Sequence, residues 1–176
     1  KYKEALSAGQ EILKIDPRYF DALFLSGSAK AKIGKWNEAL NFYRKAMEIE
    51  PENKTLQKRY ALMLAALGQN EDSLKIYTKL KKEYPDDHEI YQDLSQIYDA
   101  LGNFKLACEN LKRAVELRPS PEIYYAYAFL LEKAGDLKEA IRWIKLYLET
   151  TPEKDSFQKS KAQATLIQWE KRLKGL

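Results

Sequence analysis

Four prolines, Pro17, Pro51, Pro85 and Pro119, stand 34 residues apart, and Pro152 follows after 33. Glycines keep the same interval: Gly34, Gly68 and Gly102 are each separated by 34 residues, and Gly135 arrives after 33. Two residue types sharing one period restrict the chain to a repeat architecture, in which one supersecondary unit is copied and stacked on its neighbours. The common short step places the loss of one residue near Pro119-Ser120-Pro121. Between each glycine and the next proline, apolar residues recur at spacings of three and four, as in Ala39, Leu40, Tyr43, Ala46 and Met47, which is the signature of an amphipathic helix. Glycine closes the first helix of each unit through a positive φ that other residues adopt at a cost, and proline stops the second because it lacks an N–H and clashes with the preceding turn. The pattern predicts an all-α chain of about ten helices, without strands, turning near Gly34, Gly68, Gly102 and Gly135.

A helical hairpin of 34 residues resembles the tetratricopeptide repeat, whose pattern is W-x2-L-G-x2-Y followed by A-x3-F and a terminal Pro. Residues 20–53 carry Leu23 in the large slot and Gly27 in the small one, then Ala39, Tyr43, Ala46 and Pro51. Residues 54–87 diverge most, with Tyr60-Ala61, Leu64, Ser73, Tyr77, Leu80 and Pro85. Residues 88–120 hold Tyr91, Leu94-Ser95, Tyr98, Ala107, Leu111, Ala114 and Pro119; residues 121–154 hold Tyr124, Tyr127-Ala128, Leu131, Ala140, Ile144, Tyr147 and Pro152. Small residues let two helices approach closely and large ones fill the space between repeats. The resemblance implies four tetratricopeptide repeats stacked into a right-handed α-α superhelix, a solenoid.

The ends depart from the pattern. Residues 1–19 match only the second helix of a repeat, with Ala5 and Ile12 in its apolar slots, so an upstream unit is expected. Residues 155–176 place Phe157, Ala162, Thr165, Trp169 and Leu173 at helical spacing among lysines and glutamines, which reads as a C-terminal capping helix. The unpaired first helix, with Leu6, Leu13 and Ile15, raises the expectation of a homodimer through the N-terminal half repeat.

Little in the chain suggests chemistry. Cys108 and His88 lie on different helices with no third residue to orient them as nucleophile and base, and one cysteine with one histidine cannot build a zinc site. No phosphate-cradling glycine loop is present, and the glycines of the turns are repeat punctuation. No catalytic residue, cofactor or metal is expected. The 30 basic and 26 acidic residues nearly cancel, so general attraction to nucleic acid or a membrane surface is weak. A single cysteine fits a reducing compartment, making the cytoplasm the preferred location.

The expected function is a protein–protein interaction scaffold. The alternative is the targeting or regulatory arm of a longer enzyme, such as a transferase, whose catalytic domain lies outside this chain. The resemblance implies that the first helices of successive repeats line a concave groove. In the first two repeats it carries over Phe24, Leu25, Ser28, Lys58, Arg59 and Leu62; with Asp21 and Lys32 their groove positions sum to +2, three bases less one acid. In the last two it carries over Glu89, Gln92, Asp93, Gln96, Asp99, Glu122, Tyr125, Phe129 and Glu132; with Lys133 these sum to −4, five acids less one base. Such a groove suits an extended or helical peptide. Some members of the family grip the acidic tails of heat-shock chaperones with a lysine, asparagine and arginine clamp. Here the clamp positions hold Phe24, Ser28, Arg59, Glu89 and Asp93 in one register and Lys58, Leu62, Asp93, Glu122 and Ala126 in the next, which disfavours that partner.

Overall fold

The computed structural model describes residues 2–152 and 156–175; among these there are ten helices and no strand. They are α1 (Tyr2–Ile15), α2 (Phe20–Lys32), α3 (Trp36–Met47), α4 (Lys54–Ala66), α5 (Asn70–Glu83), α6 (His88–Ala100), α7 (Phe104–Leu117), α8 (Pro121–Lys133), α9 (Leu137–Thr150) and α10 (Ser156–Leu173). The chain forms two compact units, Lys1–Pro85 and Asp86–Leu176. Within each, every helix packs on the next in sequence.

The turns inside the hairpins share one geometry. Gly34, Gly68, Gly102 and Gly135 all have φ between 72° and 89°. Each glycine N–H donates to the carbonyl three residues back, and the next residue donates five residues back: Lys35 to Lys30 at 2.9 Å, Asn103 to Tyr98 at 2.9 Å, Asp136 to Leu131 at 2.9 Å. This is a Schellman closure, and a side chain beyond Cα at the glycine would be strained at that φ. The residue after the glycine is at once the end of one helix and the N-cap of the next. Between hairpins the connections differ in length, and 118–120 is one residue shorter than 84–87, where the sequence places the lost residue.

Small residues keep the helices close. A Cβ added to Gly27 would meet the Tyr43 ring at 2.7 Å, and one added to Gly9 would meet Ser26 Oγ at 2.5 Å. The core of the first unit gathers Leu23, Ala39, Tyr43, Ala46 and Leu56. That of the second is larger and more aromatic: Tyr127 lies edge-on to Trp143 at 5.1 Å, and Phe129 edge-on to Trp169 at 5.1 Å. Trp169 belongs to α10 and is 4 % exposed, so the last helix closes an apolar face rather than extending the repeat. On α1, Leu13 is half-buried against the core, while Ile12 and Ile15 face solvent.

Candidate functional site

In the first unit the candidate groove residues sit on α2 and α4, where their roles divide. Phe24 is half-buried, stacked on Phe20 at 6.0 Å and tilted against Tyr43 at 5.9 Å. Ser28 Oγ is hydrogen-bonded to the Tyr43 hydroxyl at 3.1 Å, and burial raises that phenol above its ordinary pKa against the pull of the Ser28 bond. Arg59 is exposed and Leu62 half-buried. Lys58 departs from the expectation of an open basic group: the residue is 8 % exposed, and its backbone carbonyl accepts from the Tyr77 hydroxyl at 3.2 Å.

In the second unit the candidates lie on α6 and α8. Glu89, Gln96 and Glu122 are exposed; Gln92, Asp93, Asp99, Tyr125, Phe129 and Glu132 are half-buried. Asp99 binds Lys133 at 2.8 Å, and Glu132 binds Arg172 of α10 at 2.7 Å. Asp99 and Glu132 are thus engaged by neighbouring cations. Tyr125 and Phe129, carried over as groove residues, also take part in packing. Tyr125 lies 4.7 Å from Phe129 and 5.0 Å from Tyr147, and Phe129 is covered by Trp169. The contact of Phe129 with Trp169 is absent from the repeat pattern because α10 stands outside it, so no repeat slot announces what it covers. By contrast, the Asp99–Lys133 pair spans 34 residues and was accessible to repeat arithmetic.

Glu122 opens α8 after the Ser120 cap and Pro121. Its carboxyl is held below the usual carboxylate range first by its own backbone N–H, then by the Ser120 hydroxyl and by the charge of Arg118. It borders a cavity of about 280 Å³ with Tyr125, Tyr147, Thr151 and Gln158. Sequence reasoning missed the last three: Tyr147 reads as core, and Thr151 and Gln158 fall at and beyond the end of the repeat.

A larger, open depression of about 770 Å³ borders the Leu101–Lys105 turn, Cys108, Tyr127 and Leu131. Burial, aided by Asp136, Asp99 and Glu109, pushes the Cys108 thiol up to about 11, so it is protonated at neutral pH and a poor nucleophile. Among the described residues no group of three or more His, Cys, Asp and Glu side chains is arranged to hold a metal ion, and no helix is long and apolar enough to cross a membrane.

Family models described as tetratricopeptide repeat match residues 31–97, 88–121 and 121–154, and the chain belongs to this family. Its fold is the all-α solenoid of such repeats. The structure is similar to MamA, from residue 41 to the end, of Desulfovibrio magneticus RS-1, with a TM-score of 0.75 over 85% of each chain and 21% identity. In sequence it is 24% identical over 157 residues to the human Protein O-mannosyl-transferase TMTC1, and 29% identical over 120 residues to the human Tetratricopeptide repeat protein 7B. Those matches take in 86% and 68% of this chain but span only 17% and 14% of the two relatives.

Proposed function

We propose that this chain is a binding scaffold that receives a protein or peptide segment along its first helices and performs no reaction itself. The observation that carries the reading is the contrast of charge on those helices: Arg59 is exposed on α4, whereas α6 and α8 bring Glu89, Asp93 and Glu122 to the surface or close to it. A partner carrying basic residues opposite α6 and α8 fits that contrast, through charge complementarity that speeds encounter and fixes register. Nucleic acid and anionic membrane are disfavoured as partners by the near balance of 30 basic and 26 acidic residues, and chaperone tails by the residues that stand at the clamp positions. The lone cysteine favours a reducing compartment such as the cytoplasm.

The test is capture by the intact chain compared with the Asp93→Lys/Glu122→Lys variant, with folding checked by circular dichroism. The variant is expected to associate more slowly with the captured partner, and the difference should shrink as salt rises. Equal, salt-independent association would place the partner on another face. Alanine at Tyr125 or Phe129 is a poor probe, because both rings also pack the core.

A second reading is the targeting arm of a longer enzyme, favoured by the match to an O-mannosyl-transferase over most of this chain. We further propose self-association through α1, on the exposed Ile12 and Ile15. Light scattering across concentration should show a dimer that Ile15→Lys dissolves; Ile15 is 89 % exposed, so the change leaves the fold intact, as Leu13→Lys would not. A monomer at every concentration overturns it.

A further inference from the structure

The cavity at the start of α8 has a composition that selects its occupant. Its volume of about 280 Å³ is at the small end of the range of about 300–1,000 Å³ usual for ligand sites and is enough for one long side chain. One wall is the edge-to-face pair Tyr125–Tyr147, with ring centroids 5.0 Å apart. Another is Glu122, an exposed carboxylate kept ionised well below neutral pH by its own backbone N–H, the Ser120 hydroxyl and the charge of Arg118. Residues three apart share a helix face, so Glu122 and Tyr125 present charge and ring side by side.

The N-terminus of a helix ordinarily favours an anion, and here that option is closed. Pro121 has no N–H to offer, the N–H of Glu122 serves its own carboxylate, and that of Ile123 goes to Ser120 Oγ. Two further polar atoms of the rim are already engaged, and the Lys159 ammonium among their partners works against a bound cation. The Thr151 hydroxyl donates to the Tyr147 carbonyl at 2.6 Å, and the Thr151 carbonyl already draws an ammonium, Lys159 Nζ, to 3.0 Å.

We infer that this cavity is a subsite for an arginine side chain of the bound partner segment, its guanidinium paired with the Glu122 carboxylate and lying against the Tyr125 and Tyr147 rings. Arginine fits better than lysine because a planar guanidinium both forks onto a carboxylate and stacks on an aromatic ring. The inference rests on the groove reading only for the origin of the arginine, and the site can be tested without the partner.

The probe is the tripeptide amide acetyl-Ala-Arg-Ala, titrated into the intact ¹⁵N-labelled chain, with the citrulline peptide as its neutral isostere and the lysine peptide as a point charge. Saturable amide shifts are expected at Glu122–Tyr125 and Tyr147–Thr151. The citrulline peptide should bind at least about fivefold more weakly, the lysine peptide about two- to fivefold more weakly, and Glu122→Gln should cost the arginine peptide about fivefold, as for a partly exposed charge pair. Lys159→Gln, which removes a like charge, should tighten binding about twofold. Equal binding of citrulline and arginine, indifference to Glu122→Gln, or shifts confined to other residues would overturn the subsite. If the arginine peptide binds here while Asp93→Lys/Glu122→Lys leaves partner capture unchanged, the groove reading fails and the subsite stands; the reverse pair of results rejects the subsite alone.

Discussion

The two units follow one repeat plan yet open their helices differently. In the second, α6, α7, α8 and α9 all begin on a side chain that accepts a backbone N–H: Asp87, Asn103, Ser120 and Asp136. In the first, among the described helix starts of α2–α5, Asn53 of α4 does so, while Tyr19, Lys35 and Gln69 stand at the starts of α2, α3 and α5 without a side-chain cap bond. The backbone at the hairpin positions barely changes, with φ and ψ of −83° and 58° at Gln69 against −91° and 70° at Asp136. Packing and the glycine turn therefore suffice to shape the hairpin, and the cap adds stability to a geometry already determined. The aromatic core and α10 add further to the same half.

The largest break in this comparison should come from Trp169→Ala. Removing a buried ring that covers Phe129 is expected to cost the second unit about 3–5 kcal/mol. Amide exchange should quicken through α8–α10 while residues 20–83 keep their protection. Alkylation of Cys108, the single thiol, offers an independent reading: slow in the parent because the thiol is protonated, faster when the unit opens. Uniform loss of protection along the whole chain would mean that the halves unfold together.

A smaller effect tests the caps. Asp136→Ala and Asn103→Ala should each lower stability by about 1 kcal/mol, and Gln69→Asn should recover part of that amount for the first unit, bringing the halves closer. If Gln69→Asn changes nothing in chemical denaturation, the lack of caps is not what separates them.

The smallest concerns acid. Bonding to Lys145 at 2.6 Å holds the Glu170 carboxyl below its ordinary value of 4.5. A depressed folded-state pKa means that its contribution is complete above 4.5 and disappears as pH falls through the lowered value. Glu170→Gln should therefore flatten the acid limb of unfolding of the second unit slightly and leave neutral-pH behaviour of the first unchanged. A neutral-pH shift in the first unit would show that the pair acts beyond its own half.

Repeat punctuation made the helices legible: Pro and Gly at period 34 mark where backbone geometry has no alternative, and Gly27 and Ala39 mark where helices must touch. The site was legible only where it follows the period. Asp99 with Lys133 obeys it. Glu132 with Arg172, and Phe129 with Trp169, do not, because α10 contributes from outside the pattern and long-range pairs leave no local trace. The burial of Lys58 escaped for a related reason, since a charged residue in a nominal groove slot looks the same in sequence whether it is open or enclosed.

The double duty of the residue after each turn glycine has a consequence for where this chain can be cut and extended. Inserting even one residue at 34–36 or 102–104 would separate the closing bond of one helix from the opening bond of the next, so the two could no longer be made by consecutive peptide groups. The connections between hairpins carry no such obligation, and the chain itself has lost a residue at 118–120 without losing a helix. Labels, tethers or fused domains belong at 48–53 or 84–87, where length is free to vary and the hairpins stay intact.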